Sequence, residues 1–415
     1  MRVVAFAGGQ TPSKTGLGLV GMPLILSHTA ARGHNVVLAM GGLVPHGRDN
    51  FVTADIEAAL KRKEGRGTFG IVCFKAWARW SFCPAMLVRL HGLVRSCDFI
   101  TLHSVYCFPV LVGYLLARFH RKRYGIWPHG ALAPFQRRVS ARKKWIYDRL
   151  FARKILNDAS VLFFSAEGER DETRSLRLKG PPVVIPHGFE ASEFEHLPPR
   201  GRFRARFLNG HNGPLLMFLA RLNAKKGLDV LVRAMALVVA RVPETRLAIA
   251  GVGDPLSFEA QVRGWIRDAG VEACTVLTGQ VDGETRRELL ADADVFVLPS
   301  QAENFGFSIF EAMACRVPVV VSDTLNYAAE IAQRGAGLAI DRNPVALAES
   351  ILRLLGDQEL RWQMGSEGYR LARLFTWEKC GESVERVMSS IVRGQPISGE
   401  VRVDAVLETT ASRQG

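Results

Sequence analysis

A chain of 415 residues is too long for one comfortable core and suits two domains of roughly 150 to 200 residues each. Hydrophobic residues make up 48%, so both can be well filled, and 54 Lys and Arg against 40 Asp and Glu leave a formal charge of +14, which points to an anionic partner without naming it. The seven cysteines, at 73, 83, 97, 107, 274, 315 and 380, include no pair spaced as a metal knuckle or a redox C-x-x-C, so those classes are set aside and reduced intracellular thiols are expected.

The first apolar run, within Met1–Gly9, is too short for a signal peptide and reads as a buried strand, Val3–Ala7, so secretion is not expected. Gly8-Gly9-Gln-Thr-Pro-Ser-Lys-Thr-Gly16-Leu-Gly18 follows it and precedes a helix. Gly16 and Gly18 are candidate donor contacts, because glycines let backbone approach a ligand. The stretch has neither the Gly-Lys-Ser/Thr ending of a P-loop nor the spacing of a dinucleotide fingerprint, so neither ATP hydrolysis nor hydride transfer is supported.

A second strand is expected at Val36–Ala39. From Phe99 to Ala117 no residue carries a full charge, which nears the length of a membrane span. His103, Ser104, Pro109 and Gly113 interrupt it, so the reading is a strand (Phe99–Leu102), a loop and a buried helix. Between Arg118 and Lys154 stand twelve Lys or Arg and one acid, Asp148, interleaved with Trp145, Ile146, Tyr147, Leu150 and Phe151. Two readings remain open: a helix docked on an anionic membrane surface, or a solvated basic face. Strands at Val161–Phe164 and Val183–Ile185 complete this half. Glu190–Pro214, with Pro198-Pro199 and an Asn-Gly-His-Asn-Gly run, has the composition of a linker, which puts a domain boundary near 195 to 210.

The second half repeats the theme at Leu215–Leu219, Leu247–Ala250, Val276–Thr278, Val295–Leu298 and Pro318–Val321. Short Val-, Ile- and Phe-rich runs between helical segments are the mark of parallel sheets covered on both faces, so two doubly wound α/β domains are expected. Thr376 is an N-cap type ahead of Trp377, Cys380, Val384, Val387, Met388 and Ile391, a helical apolar stripe. The expected division is an N-terminal domain over 1–195, a C-terminal one over 210–375, a last helix over 376–393 and a disordered tail over 394–415.

Two segments carry chemistry. In Leu215-Leu-Met-Phe-Leu-Ala-Arg221-Leu-Asn-Ala-Lys225-Lys226-Gly227, a strand delivers Arg221 and Lys226 to its carboxyl edge, where fixed cations can neutralise a leaving diphosphate. In Asp294-Val-Phe-Val-Leu-Pro-Ser-Gln-Ala-Glu303-Asn-Phe305-Gly306-Phe-Ser-Ile-Phe-Glu311, a strand, a polar loop and a helix start follow one another. The free N–H groups of that start favour an anion. The carboxylates of Glu303 and Glu311 would repel phosphate and instead suit the hydroxyls of a sugar and a ribose.

The Glu-x7-Glu spacing of Glu303 and Glu311, with Phe305-Gly306 between, Glu-Ala-Met-Ala and Pro318-Val-Val after, closely resembles the retaining glycosyltransferases of family GT4. The resemblance implies a GT-B fold, two Rossmann-like domains facing each other across a cleft, with the C-terminal helix crossing back to the N-domain. It implies that Glu303 faces the donor sugar, that the Phe305 and Gly306 backbone approaches sugar and phosphate, and that Glu311 holds the ribose. Arg221 and Lys226 would meet the leaving nucleoside diphosphate. His129, in Gly125-Ile-Trp-Pro-His129-Gly130, resembles the family's N-domain loop that reaches the donor sugar, with His103 a weaker candidate and His187 a structural one.

The implied activity is retaining transfer of a hexose-like unit from a nucleoside diphosphate sugar to an acceptor hydroxyl, such as a lipid-linked saccharide of envelope or exopolysaccharide synthesis. No cofactor and no metal are expected, since no metal-binding Asp-x-Asp that would demand a divalent ion is seen, and no nucleic acid partner, since no reading motif accompanies the basic patch. The expected location is the cytoplasm, peripheral on the inner face of the plasma membrane. Arg316 departs from the family's usual Gly before Val-Pro, which keeps open a degenerate, non-catalytic homologue acting as scaffold or sugar-nucleotide sensor. A sugar-nucleotide epimerase on the same fold is a further alternative.

Overall fold

The computed structural model describes residues 1–8, 17–42, 52–53, 61, 63–77, 80–138 and 140–397. They form two units, Met1–Gly188 with the chain from Trp377, and Phe189–Thr376. In the first, the apolar runs become β1 (Arg2–Gly8), β2 (Asn35–Gly41), β3 (Val52–Thr53), β4 (Lys63–Glu64), β5 (Gly67–Phe74), β6 (Phe99–His103), β7 (Tyr124–Trp127), β8 (Val161–Phe164) and β9 (Pro182–Val184). They pair in the order β3-β5-β2-β1-β6-β7-β8-β9, all parallel apart from β4, which lies antiparallel on β5. The second unit has β10 (Leu215–Leu219), β11 (Arg246–Ala250), β12 (Thr275–Gly279), β13 (Val295–Leu298), β14 (Val319–Ser322) and β15 (Gly337–Ile340), ordered β12-β11-β10-β13-β14-β15 and parallel throughout. That is the doubly wound order 3-2-1-4-5-6, and its strand order reverses between β10 and β13, the place where such sheets bind ligands.

In the uncharged stretch β6 is buried, and the helix Phe108–Phe119, which ends just past it, buries most of its residues while exposing Leu115 and Phe119; no helix among the described residues is long and apolar enough to cross a membrane. The strands β5, β7 and β15 escape the sequence pattern: Gly67 and Gly70 dilute the first, and the other two are four residues long and begin with, or contain, glycine. All seven cysteines are free thiols.

The expected linker belongs to the second unit, which begins at Phe189 rather than near 195 to 210. Phe189, Phe194 and Phe203 are buried in its core, and the Phe189 N–H donates to the Phe375 carbonyl at 3.0 Å. Arg204, inside the expected linker, is buried against Asp294 at 2.9 Å, while Asp292 accepts the Arg204 N–H at 2.9 Å. Breaking a buried pair of this kind costs about 3–5 kcal/mol, so the segment is a fixed part of the unit. The last helix, Trp377–Val392, buries Trp377, Cys380, Gly381, Val384, Val387, Met388 and Ile391 on one stripe and packs on the helix Leu17–Ala31 of the first unit. The tail from 398 lies outside the described residues.

Candidate functional site

The carboxyl ends of β10 and β13 open into two loops that touch. The Gln301 N–H donates to the Lys225 carbonyl at 2.7 Å. Gly227 sits at φ +69° with its Cα so close that a Cβ would lie 2.0 Å from the Pro299 carbonyl oxygen, so only glycine brings these loops together. Between them Lys226 Nζ meets Glu303 Oε1 at 2.5 Å, and the Ser300 hydroxyl donates to the same oxygen at 2.7 Å. Both charged side chains are largely shielded, at 15% and 13% exposed. Asn326 pins the Glu303 loop from the other side, its Nδ2 donating to the Glu303 and Asn304 carbonyls at 2.8 and 3.0 Å.

Arg221, on the same loop as Lys226, pairs with Asp254 and is more exposed. Gly306, at φ +81°, caps the helix Phe307–Ala314, whose first N–H groups are thereby free of side-chain caps. The Phe305 ring is core: it stacks on Phe310 at 4.2 Å and meets Tyr327 and Phe375, so only its backbone faces the loop. Glu311 is buried and held by Arg286 Nη1 at 3.0 Å, while Arg286 Nη2 pairs with Glu193. Burial pushes the Glu311 carboxyl up from its ordinary range, with Arg286 opposing and Glu193 reinforcing. The structure thus brings Lys226 and Glu303 into contact, sets Arg221 and Gly306 on the same two loops, and gives Glu311 its own partner.

Arg316 takes φ +59° just after that helix, where glycine is usual, and its guanidinium lies 4.2 Å from the Tyr369 ring centroid. A cation–π contact of about 0.5–1 kcal/mol offsets much of the roughly 1 kcal/mol that a side chain costs in the left-handed region.

In the first unit, His129 follows β7 at φ +50°, a strained position for a non-glycine. Its loop is held by Glu169, whose buried carboxylate accepts the Gly130 N–H at 2.6 Å and the Ser165 N–H and hydroxyl at 2.8 and 2.7 Å. The His129 ring stacks with His103 and lies beside His187, and His129 Nε2 is 3.1 Å from His103 Nδ1. Burial lowers the His129 imidazole to about 4 and His187 to about 3, and His103 falls well below its usual value, so all three are neutral at pH 7. Gly16 lies outside the described residues, and Gly18 falls in the first turn of the helix Leu17–Ala31. Glu169, Ser300, Arg286 and Asn326 escape sequence reasoning, since each is a common surface residue type made relevant only by its partner.

Among the described residues, no group of three or more His, Cys, Asp or Glu side chains is placed to hold a metal ion. The arrangement of charge at the switch point of one doubly wound sheet, beside a second such sheet in the chain, defines a nucleotide-binding α/β protein. Residues 200–371 match the family described as Glycosyl transferases group 1, and residues 25–193 match Glycosyltransferase Family 4. A GDP-mannose-dependent alpha-(1-6)-phosphatidylinositol monomannoside mannosyltransferase of Mycolicibacterium smegmatis is 30% identical over 308 residues, 71% of this chain and 77% of that one. A D-inositol 3-phosphate glycosyltransferase of Kineococcus radiotolerans is 27% identical over 58% of this chain, a match spanning 59% of its own length. The crystal structure of HepE from Anabaena, in complex with UDP and glucose, superposes with a TM-score of 0.74 at 17% identity, covering 94% of this chain and 100% of that one. The chain belongs to the group 1, family 4 glycosyltransferases, and its fold is GT-B.

Proposed function

We propose that this protein transfers a hexose-like unit from a nucleoside diphosphate sugar to an acceptor hydroxyl, with retention at the anomeric carbon. The observation that carries this reading is the meeting of Lys226 with Glu303 across the loops that follow β10 and β13. A diphosphate would offer the Lys226 ammonium a stronger partner than the Glu303 carboxylate and free Glu303 to accept sugar hydroxyls. Arg221 and the helix start at Gly306 add positive potential where leaving-group charge develops. Glu311, fixed by Arg286, accepts the ribose hydroxyls. A cation pair and a helix start can meet the diphosphate charge without a divalent ion, so we propose metal-independent transfer.

In this reading the second unit takes the donor and the first the acceptor. His129, neutral and held by the Glu169 clamp, can donate or accept a hydrogen bond to a sugar hydroxyl without adding charge. GDP-mannose in the name of the mycobacterial relative and UDP with glucose in the HepE complex supply two donors to try first. The phosphatidylinositol mannoside of that relative, with the basic face over 118–154, supports a lipid-linked acceptor met at an anionic membrane surface, on the cytoplasmic side. The engagement of Arg316 by Tyr369 leaves the donor loops with every expected side chain in place, which favours an active enzyme over a degenerate one. Incubating the purified protein with labelled GDP-mannose or UDP-glucose and a short-chain glycolipid tests it: donor-dependent labelling of the lipid is expected, and neither donor binding nor transfer with any sugar nucleotide would sink the reading.

A further inference from the structure

The helical segment from Ala141 to Asn157 carries features that sugar transfer alone leaves unused. Its path is interrupted at Asp148–Ala152 by a π turn, a device that recurs at ligand sites. A cavity of about 570 Å³ opens beside it, with Arg149, Arg153, Leu132, Leu156, Leu176 and Leu178 in its wall. A third lining cation, Arg137, is already neutralised by Asp148 at 3.2 Å, and Asp148 also accepts from the Tyr106 hydroxyl at 3.0 Å. Arg149 and Arg153 have no acidic partner among the described residues. Trp145, Ile146 and Leu150, on the same segment, are 66%, 51% and 57% exposed, so cations and large apolar groups share its solvent face. Leu132 follows His129 by three residues, and Tyr106 follows His103 by three, so the cavity reaches the loops at the carboxyl edge of β6 and β7.

We propose that this cavity seats the phosphate of a lipid-linked acceptor. Two exposed guanidinium groups without acidic partners in one wall favour an anionic ligand over a neutral one, and their planar forks match phosphate oxygens. The leucine wall would gain nothing from free phosphate, and a neutral lipid would leave the arginines unused. An anion carried on an apolar body satisfies both. The alkyl chain then leaves past Trp145 and Leu150 into the membrane interface, and the sugar end points to the His129 loop. The word acceptor rests on the transfer reading above; the ligand chemistry does not.

The test titrates the full chain with dodecyl phosphate below its micellar concentration, with inorganic phosphate and with dodecyl maltoside, by calorimetry. Co-sedimentation with phosphatidylglycerol and phosphatidylcholine vesicles and the thermal shift with GDP and UDP are measured alongside. Dodecyl phosphate is expected to bind at least about tenfold tighter than either control, and about tenfold or more weaker to the Arg149→Ala/Arg153→Ala double variant. Ser175→Trp, which fills the cavity from an exposed wall position and keeps both arginines, is expected to lose dodecyl phosphate yet still sediment with phosphatidylglycerol. Both variants should keep the nucleotide shift. Inorganic phosphate binding as tightly as dodecyl phosphate would reduce the site to an anion patch and overturn the proposal. So would variants that bind dodecyl phosphate as the parent does, including a double variant that loses only vesicle binding, which would leave membrane docking alone. If no nucleotide shifts the parent protein while the dodecyl phosphate pattern holds, the transfer reading and the acceptor role fall and the lipid-phosphate site stands.

Discussion

At the carboxyl edge of β10 and β13 the side chains are charged and paired, whereas at the carboxyl edge of β6 and β7 they are neutral rings stacked on one another. Both edges belong to doubly wound sheets that share the central order around their first strand, β5-β2-β1-β6-β7-β8 and β12-β11-β10-β13-β14-β15, so the difference lies in the loops more than in the scaffold. In the second unit a glycine brings two loops into contact and an ion pair joins them. The first uses a buried glutamate, Glu169, to fix a strained turn and keeps its imidazoles uncharged by burial. On the proposed reading, this electrostatic difference would separate a site that meets a diphosphate from one that orients hydroxyls.

The contrast breaks most sharply at Lys226. Lys226→Ala removes the cation proposed to meet the leaving group and takes the ion-pair partner from Glu303, and a fall of about 10²–10³-fold in transfer rate is expected, read as kcat with saturating donor. Glu311→Ala leaves Arg286 without its buried partner; a loss of about 3 kcal/mol of stability is expected with weakened donor binding, visible as a lower denaturation midpoint and a smaller nucleotide shift. Gly227→Ala, at φ +69° and against the Pro299 carbonyl, should cost about 1–3 kcal/mol and loosen the donor loops without touching any charge.

The first unit should respond to pH instead. The folded imidazoles of His129, near 4, and His187, near 3, lie below the ordinary value of about 6.5 for a free chain. The unfolded chain therefore binds protons first as pH falls, and this stability is full above about pH 6.5 and is lost progressively toward pH 4. His187→Gln should flatten that acid limb, and an unchanged slope in chemical denaturation between those values would contradict the assignment. The smallest effect is expected at Arg316: replacement by Gly exchanges a cation–π contact for a relaxed backbone, so stability should move by less than about 1 kcal/mol and donor binding not at all.

The donor loops were legible because their chemistry is contiguous. Arg221 and Lys226 follow one strand, Glu303 and Glu311 flank one loop and helix, and the residues between them repeat a family pattern. Arg286 and Ser300 were not, because a partner 25 residues away, or a hydroxyl in a polar loop, has no periodicity to betray it. The linker reading failed for a related reason: Arg204 and the Pro-Gly-rich run look solvated until Asp292 and Asp294, some 90 residues on, bury the charge. Among strands, β5 and β7 hid behind glycine, which a pattern search counts as a breaker although Gly125 is needed there, since a Cβ would strike the Phe163 ring at 2.6 Å. The basic face over 118–154 was visible as composition, but its sharing of one solvent face with Trp145, Ile146 and Leu150 needed coordinates.

The most direct test of the account is thermal stabilisation by a panel of UDP-, GDP- and ADP-sugars, measured on the parent protein and on Lys226→Ala and Glu311→Ala. A shift with one nucleotide that both variants lose is the predicted result, and it would name the base as well as place the donor. No shift with any sugar nucleotide, or a shift that survives in both variants, would contradict a donor site at the edge of β10 and β13.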